Sequence, residues 1–206
     1  MPKEEVHIDA LQHYLPEGSY PLVREYLDRY RVLLTITRAR QTILGNYKKP
    51  AGANTHHITV NGNLNKYNFL VTLVHELAHL LAFEQYGHRI EPHGREWQQL
   101  YAQLLSVFMT RDIFPDDILA VLQQTLRKPA ASTCAETDLT RVMARYDQHA
   151  DGLFFVEELN EGQLFVIKGG RVFQRGAKRR TRFFCTEVAT KKVFLFSGVY
   201  RVKVVG

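Results

Sequence analysis

The chain has 206 residues, of which 45% are hydrophobic, 11% aromatic and 23% charged; this is globular usage, which excludes extended disorder and low-complexity structure and allows one good-sized domain, or one with a small appendage. No run of 18 uncharged apolar residues occurs, and the first residues lack the basic start and apolar run of a secretory signal, so neither a membrane span nor export is expected. The net charge is +6, yet residues 164–186 alone carry seven cations and no acid, so the positive charge is a local patch. Two cysteines, Cys134 and Cys185, form no CxxC pair and no disulfide framework, which fits a reducing cytoplasm.

In chain order, residues 20–31 have helical periodicity, with Leu22, Val23, Tyr26, Leu27 and Tyr30 on one face. Three strand candidates follow, at 32–37, 41–45 and 56–60. The run 69–86 is apolar almost all round and holds no Gly or Pro, which predicts a buried helix. A second helix is expected over 95–109. A third is expected over 115–127, starting with Pro115, Asp116 and Asp117 and ending with Arg127 and Lys128, as the helix dipole prefers. Residues 128–138, small and polar with a proline, read as a linker, and Cys134 within it reads as a free thiol. Beyond it, runs rich in Val, Ile and Phe at 153–159, 163–167, 171–175, 181–188 and 192–196 alternate with Asn and Gly turns, the pattern of a small antiparallel sheet. The expected organisation is therefore 1–127, a linker 128–138, and a small β domain over 139–206.

The predicted buried helix contains His75-Glu76-Leu77-Ala78-His79. Residues i and i+4 lie one turn apart on one helix face, so both imidazoles can reach a single metal ion, and the glutamate between them, rotated by about 100°, can reach a metal-activated water without being a ligand. Two histidines and a carboxylate left unpaired in an apolar helix would cost several kcal/mol, which metal coordination would remove. A catalytic zinc needs a third protein ligand. The metzincin spacing would place it at residue 85, which is Gln85. Downstream candidates are His88, Glu91, His93 and Glu96. The second helix carries an apolar stripe at Trp97, Leu100, Tyr101, Leu104, Leu105 and Phe108, and one turn back from Trp97 is His93, so His93 heads the core-facing stripe. His88 follows Gly87 in a polar turn and reads as solvated. Glu96 is off the stripe.

The segment TLVHELAHLLAFEQYGHRIEPHGREW, an HExxH followed after a gap by His-Gly-x-x-Trp, resembles the SprT-like (Spartan) zinc metallopeptidase family, as does the upstream stretch TRARQTILGNYKKPAGANTHHITVNGNL. The likeness covers roughly residues 20–126. It implies a minimal zincin-like domain, one catalytic Zn²⁺ held by His75, His79 and His93, with Glu76 as the catalytic base, and proteolysis of proteins associated with DNA. Bacterial members usually carry a four-cysteine zinc ribbon after this domain. Here only Cys185 remains there, so 139–206 reads as a ribbon-derived sheet without metal, held by phenylalanine packing.

The basic region holds Lys168, Arg171, Arg175, Lys178, Arg179, Arg180 and Arg182, interleaved with Phe173, Phe183 and Phe184. Strand alternation assigns the phenylalanines to a core and the cations to an outer face. Seven like charges repel one another in the free protein, so they read as a nucleic-acid-binding surface, with single-stranded DNA or a nucleoprotein as the expected partner. RNA or an acidic protein would satisfy the same charge. His56 and His57 open a strand whose alternation turns only one of them inward, and they read as surface or structural residues; His7, His13 and His149 have no partner pattern.

Together these readings predict an α+β chain: a short antiparallel sheet with the HExxH helix and packing helices, then a small all-β domain. The expected activity is zinc-dependent cleavage of a protein substrate by a cytoplasmic enzyme. The alternative is a nucleic-acid-binding protein whose zinc is purely structural, and a zinc hydrolase acting on a small amide is a further one.

Overall fold

A computed structural model of the protein describes residues 8–40, 43–127, 137–147 and 152–205. Its organising element is α2 (Lys66–Tyr86), in which twelve residues are buried, among them His75 and Glu76. The helix starts three residues before the apolar run because the Asn65 side chain caps it, accepting the Asn68 N–H at 2.9 Å. It ends at Gly87, whose φ of 66° turns the chain away.

Around α2 pack α1 (Tyr20–Arg29) and a three-stranded sheet of β1 (Val32–Thr37), β2 (Gly45–Lys48) and β3 (His56–Asn61) in the order β1-β3-β2. β1 runs parallel to β3, with Val32 opposite His56, and β2 runs antiparallel to it, with Tyr47 opposite Ile58. The sheet is therefore mixed, not antiparallel as expected: the chain crosses from β1 past β3 to the far edge, where β2 forms. The strand expected at 41–45 is also displaced to 45–48. Gln41 and Thr42 lie outside the described residues, and the segment that follows is held to β3 by the Asn61 N–H, which donates to Leu44 O, and by side-chain bonds from Arg40 and Asn61.

Helix α3 (Arg95–Met109) has the bounds its stripe predicts and buries Trp97, Tyr101, Leu104, Leu105 and Phe108. Helix α4 (Asp116–Arg127) buries Ile118 and Leu122. A fifth helix, α5 (Thr137–Ala144), adds Leu139, Val142 and Met143 to the same core. Residues 128–136 of the expected linker lie outside the described residues, but its last two, Thr137 and Asp138, open α5. Asp117 of α4 accepts hydrogen bonds from the Tyr146 hydroxyl at 2.6 Å and from Arg145 at 3.3 Å. These contacts carry the first unit to Tyr146, and the second spans Asp147–Gly206. The boundary thus falls later than the expected 127/139.

The second unit is an antiparallel sheet of β4 (Phe154–Phe155), β5 (Leu164–Val166), β6 (Val172–Arg179), β7 (Arg182–Glu187), β8 (Val193–Ser197) and β9 (Arg201–Val204), ordered β4-β9-β5-β6-β7-β8. The strand expected over 153–159 stops after two residues. Glu158 folds back to accept the Phe155 N–H at 2.6 Å, and Val156–Glu158 forms a 3-10 turn. The last strand, β9, has no counterpart among the expected runs. The inner face holds Val156, Leu159, Phe165, Phe173, Phe183, Cys185 and Val202. Phe165 and Phe173 stack at 5.7 Å, and Phe196 meets Phe173 at 5.0 Å. Burial pushes the Cys185 thiol up to about 11, so it stays protonated and unreactive at neutral pH. Among the described residues no helix is long and apolar enough to cross a membrane.

Phe173 is the centre of that ring cluster, so Phe173→Ala should destabilise the second unit by about 3–5 kcal/mol. Chemical denaturation, read by amide exchange in residues 153–205, would show this; a loss below about 1 kcal/mol would mean that the rings do not hold the sheet.

Candidate metal centre

His75 and His79 leave α2 one turn apart, with ring centroids 5.1 Å from each other. His93 comes from the turn that precedes α3. There the Gly94 N–H donates to Glu91 O at 2.9 Å, and Gln98 Nε2 donates to His93 O at 3.0 Å. His93 has φ 63°, a left-handed conformation that costs a non-glycine residue on the order of 1 kcal/mol and is maintained by its surroundings. Its ring nitrogen Nε2 lies 3.1 Å from His75 Nε2 and 2.9 Å from His79 Nε2. The three form a group able to hold a metal ion, with ligand atoms all within 4.8 Å of one another. Trp97, fully buried, closes the inner side, its ring centroid 4.7 Å from those of His75 and His93 and 5.1 Å from that of His79. Tyr101 stacks behind it at 5.0 Å.

Burial, followed by the neighbouring His79 and His93, pushes His75 down to about 3, and burial and His93 push His79 down to about 4. Burial also lowers His93. All three rings are therefore neutral at pH 7, with lone pairs available. At most two of three neighbouring Nε2 atoms can be satisfied by one shared ring proton, and the buried His75 Nδ1 has no hydrogen-bond partner. In a tetrahedral zinc site with bonds of about 2.0–2.1 Å, ligand nitrogens sit roughly 3.3 Å apart, close to the spacing observed. Three imidazoles suit Zn²⁺ among the common divalent ions. His75 is buried whereas His79 and His93 are half-exposed, so the group is open on one side, as a catalytic rather than a fully enclosed structural site would be.

The Glu76 carboxylate lies against Gly45 of β2 and is not part of the three-histidine group. Burial pushes its carboxyl up to about 7, against the Tyr47 backbone N–H that it accepts and the nearby Arg40 guanidinium, both of which pull it down. The other candidates lie elsewhere. His88 packs edge-on against Phe83 at 5.0 Å. Glu91 serves through its backbone carbonyl, and Glu96 is half-buried outside the group. His56 is the inward member of the His56–His57 pair: it is buried, with the Tyr47 hydroxyl at 3.0 Å, Lys49 Nζ at 3.1 Å and Glu84 Oε1 at 3.2 Å. Arg40, Gly45 and Asn61, which shape the surroundings of Glu76, carry no motif by which sequence reasoning would find them. Trp97 reads in the sequence as a stripe residue and as the tryptophan of His-Gly-x-x-Trp, but not as the wall behind the three rings.

The seven cations of residues 164–186 fall into two groups. Arg171 donates from Nε to Glu187 Oε1 at 2.6 Å and lies over the rings of Phe173 and Phe194, each at 5.1 Å. The acid that pairs with it is the first residue beyond the acid-free stretch. Arg175 lies over Phe183 at 4.5 Å and is half-buried. Lys168 is exposed on the turn between β5 and β6. Lys178, Arg179, Arg180 and Arg182 are exposed around the β6–β7 hairpin, with Arg179 over Phe184 at 5.7 Å.

Because His93 stands opposite both α2 histidines, His93→Ala should reduce zinc affinity by about 10²-fold or more while the helices stay folded. Metal content after dialysis, together with far-UV circular dichroism, would test this. Full zinc retention by a folded variant would remove His93 from the centre.

Residues 21–116 match the SprT-like family. Among curated relatives, a Protein SprT of Yersinia pestis is 48% identical over 48 residues, covering 23% of this chain and 28% of that protein. One of Glaesserella parasuis is 46% identical over 44 residues, covering 21% and 28%. One of Pseudomonas aeruginosa is 54% identical over 35 residues, covering 16% and 21%. The chain thus spans less than a third of the length of these relatives. No solved structure matches. The three histidines and the helix that carries two of them lie inside the stretch that matches the SprT-like family.

Proposed function

We propose that the chain is a zinc-dependent metalloendopeptidase of zincin-like build, acting on DNA-associated proteins in the cytoplasm. The observation that carries the reading is the convergence of three neutral imidazole nitrogens beside a separately held, buried carboxylate on the next residue of the same helix. His75, His79 and His93 would hold Zn²⁺. When bound, the ion supplies a Lewis acid that polarises the scissile carbonyl and acidifies water. Glu76 accepts the proton of the attacking water on its carboxylate and returns it to the leaving amide nitrogen. A carboxyl held near 7 suits both halves of that transfer. Trp97 excludes water from the inner side of the three rings, and the half-exposed side admits a polypeptide.

Recruitment to DNA is assigned to the β6–β7 hairpin. Lys178, Arg179, Arg180 and Arg182 are exposed there without an acidic partner among the contacts described, and Lys168 extends the same charge. Arg171 and Arg175 contribute less, since one is neutralised by Glu187 and the other lies against Phe183. Exposed cations beside Phe184 suit the phosphates and bases of a single strand.

The test is cleavage of a basic DNA-binding protein, with and without single-stranded DNA, by the wild type and by Glu76→Gln. Glu76→Gln should keep its zinc and lose about 10²–10⁴-fold in rate. Removing the four hairpin charges should weaken DNA binding and flatten its salt dependence. A zinc-loaded wild type that binds DNA and cleaves nothing would transfer the reading to a nucleic-acid-binding protein with a structural zinc. Hydrolysis confined to small amides would transfer it to an amidohydrolase.

A further inference from the structure

Strand β2 is an edge strand whose free edge is already occupied. The Asn61 N–H donates to Leu44 O at 2.9 Å. Antiparallel alternation then turns the backbone groups of Asn46 and Lys48 toward β3 and those of Gly45 and Tyr47 away from it. The outward Tyr47 N–H faces the Glu76 carboxylate and pulls its pKa down, so the carboxylate stands beside the edge where a neighbouring strand's carbonyl would be. Helix and strand come close enough for this only because residue 45 has no side chain. A Cβ there would lie 2.6 Å from Glu76 Oε1 and 2.8 Å from Thr72 Cγ2.

Arg40 and Asn61 fix where β2 runs. The guanidinium donates from Nε to Asn61 Oδ1 at 2.7 Å, from Nη1 to Thr59 Oγ1 at 3.0 Å and from Nη2 to Leu44 O at 3.3 Å. Asn61 Nδ2 donates back to Arg40 O at 3.2 Å and to Ile43 O at 3.0 Å. Asn61 is only 1% exposed, so its amide is locked by the body of β3. These bonds fasten residues 40, 43 and 44 to β3 immediately before Gly45. Breaking one leaves a buried polar group unpaired, which is what makes the arrangement rigid. None of them involves His75, His79 or His93.

We propose that Arg40, Asn61 and Gly45 are positioning residues for Glu76: the Arg40–Asn61 clamp sets the path of β2, and the Tyr47 amide together with the bare Gly45 then sets the carboxylate. The inference rests on the reading of Glu76 as the proton acceptor. A glutamate turns about three side-chain bonds, and a displacement of about 1 Å at the reacting group can cost roughly 10²-fold in rate. The clamp removes that freedom from the second strand inward, while the metal ligands are fixed by α2 and the turn before α3.

The experiment uses the full chain and two variants, Gly45→Ala and Arg40→Gln. In Gly45→Ala the nearest displaced atom is the end of the flexible Glu76 side chain, so this variant should fold. Amide exchange of Tyr47 is measured relative to Ile58, its register partner in β3, in zinc-free protein; general destabilisation moves both amides together, whereas loss of the carboxylate partner moves Tyr47 alone. Both variants should speed the Tyr47 exchange about tenfold or more relative to Ile58, keep wild-type zinc affinity, and lower kcat by about tenfold or more at unchanged KM. An unchanged exchange ratio in Gly45→Ala, or zinc affinity falling in step with rate, overturns the inference. Cleavage surviving Glu76→Gln would instead defeat the reading of Glu76 as base, with the exchange ratio unaffected, so the two failures are distinguishable.

Discussion

Two adjacent residues in the buried middle of α2, His75 and Glu76, are polar, and the first unit is arranged around satisfying both. Neither can reach water freely from α2, and leaving either without a partner would cost several kcal/mol. They point about 100° apart around the helix, so no single neighbour can serve both. One direction is answered by His79 and His93, the other by the edge of β2. The separation of the three-histidine group from the Glu76 carboxylate thus follows from helix geometry before any chemistry is considered.

The two answers are built differently. On the histidine side the constraint is local: a left-handed residue, a tight turn through Gly94 and a backbone carbonyl held by Gln98 swing His93 across to α2. The strain is placed in His93 itself, where it fixes the direction of the ring, and Trp97 on the next helical turn backs all three rings. On the carboxylate side the constraint is delocalised. It runs from Asn61 through Arg40 to the backbone of β2, and the element that touches Glu76 is main chain. A side chain held by backbone cannot be displaced by rotamer changes elsewhere in the site.

In the second unit the same charge sign serves two purposes. Arg171 is a structural cation: it neutralises Glu187, which the fold buries, and covers two phenylalanine rings. The Thr190 hydroxyl completes the satisfaction of that carboxylate. Residues 178–182 project from the hairpin, where the described contacts include no such neutralising acid, so their mutual repulsion is left to solvent. Counting cations along the chain could not separate these roles.

What the sequence determined by itself is what helical and strand periodicity encode. The i, i+4 spacing places His75 and His79 on one face, and the stripe ending at Trp97 directs His93 toward them. The bounds of α3 and the inward phenylalanines of the second unit follow from the same logic, because side-chain direction within one element is a local property. Tertiary structure decided what depends on partners distant in the chain. Arg40 and Asn61 are 21 residues apart, and their bonds displaced β2 from 41–45 to 45–48. The parallel pairing of β1 with β3, the inclusion of α5 in the first core and the pairing of Arg171 with Glu187 are of the same kind. The partner that fixes Glu76 is an edge strand's backbone N–H, which every non-proline residue possesses and no motif can mark; only the folded chain determines which one it is.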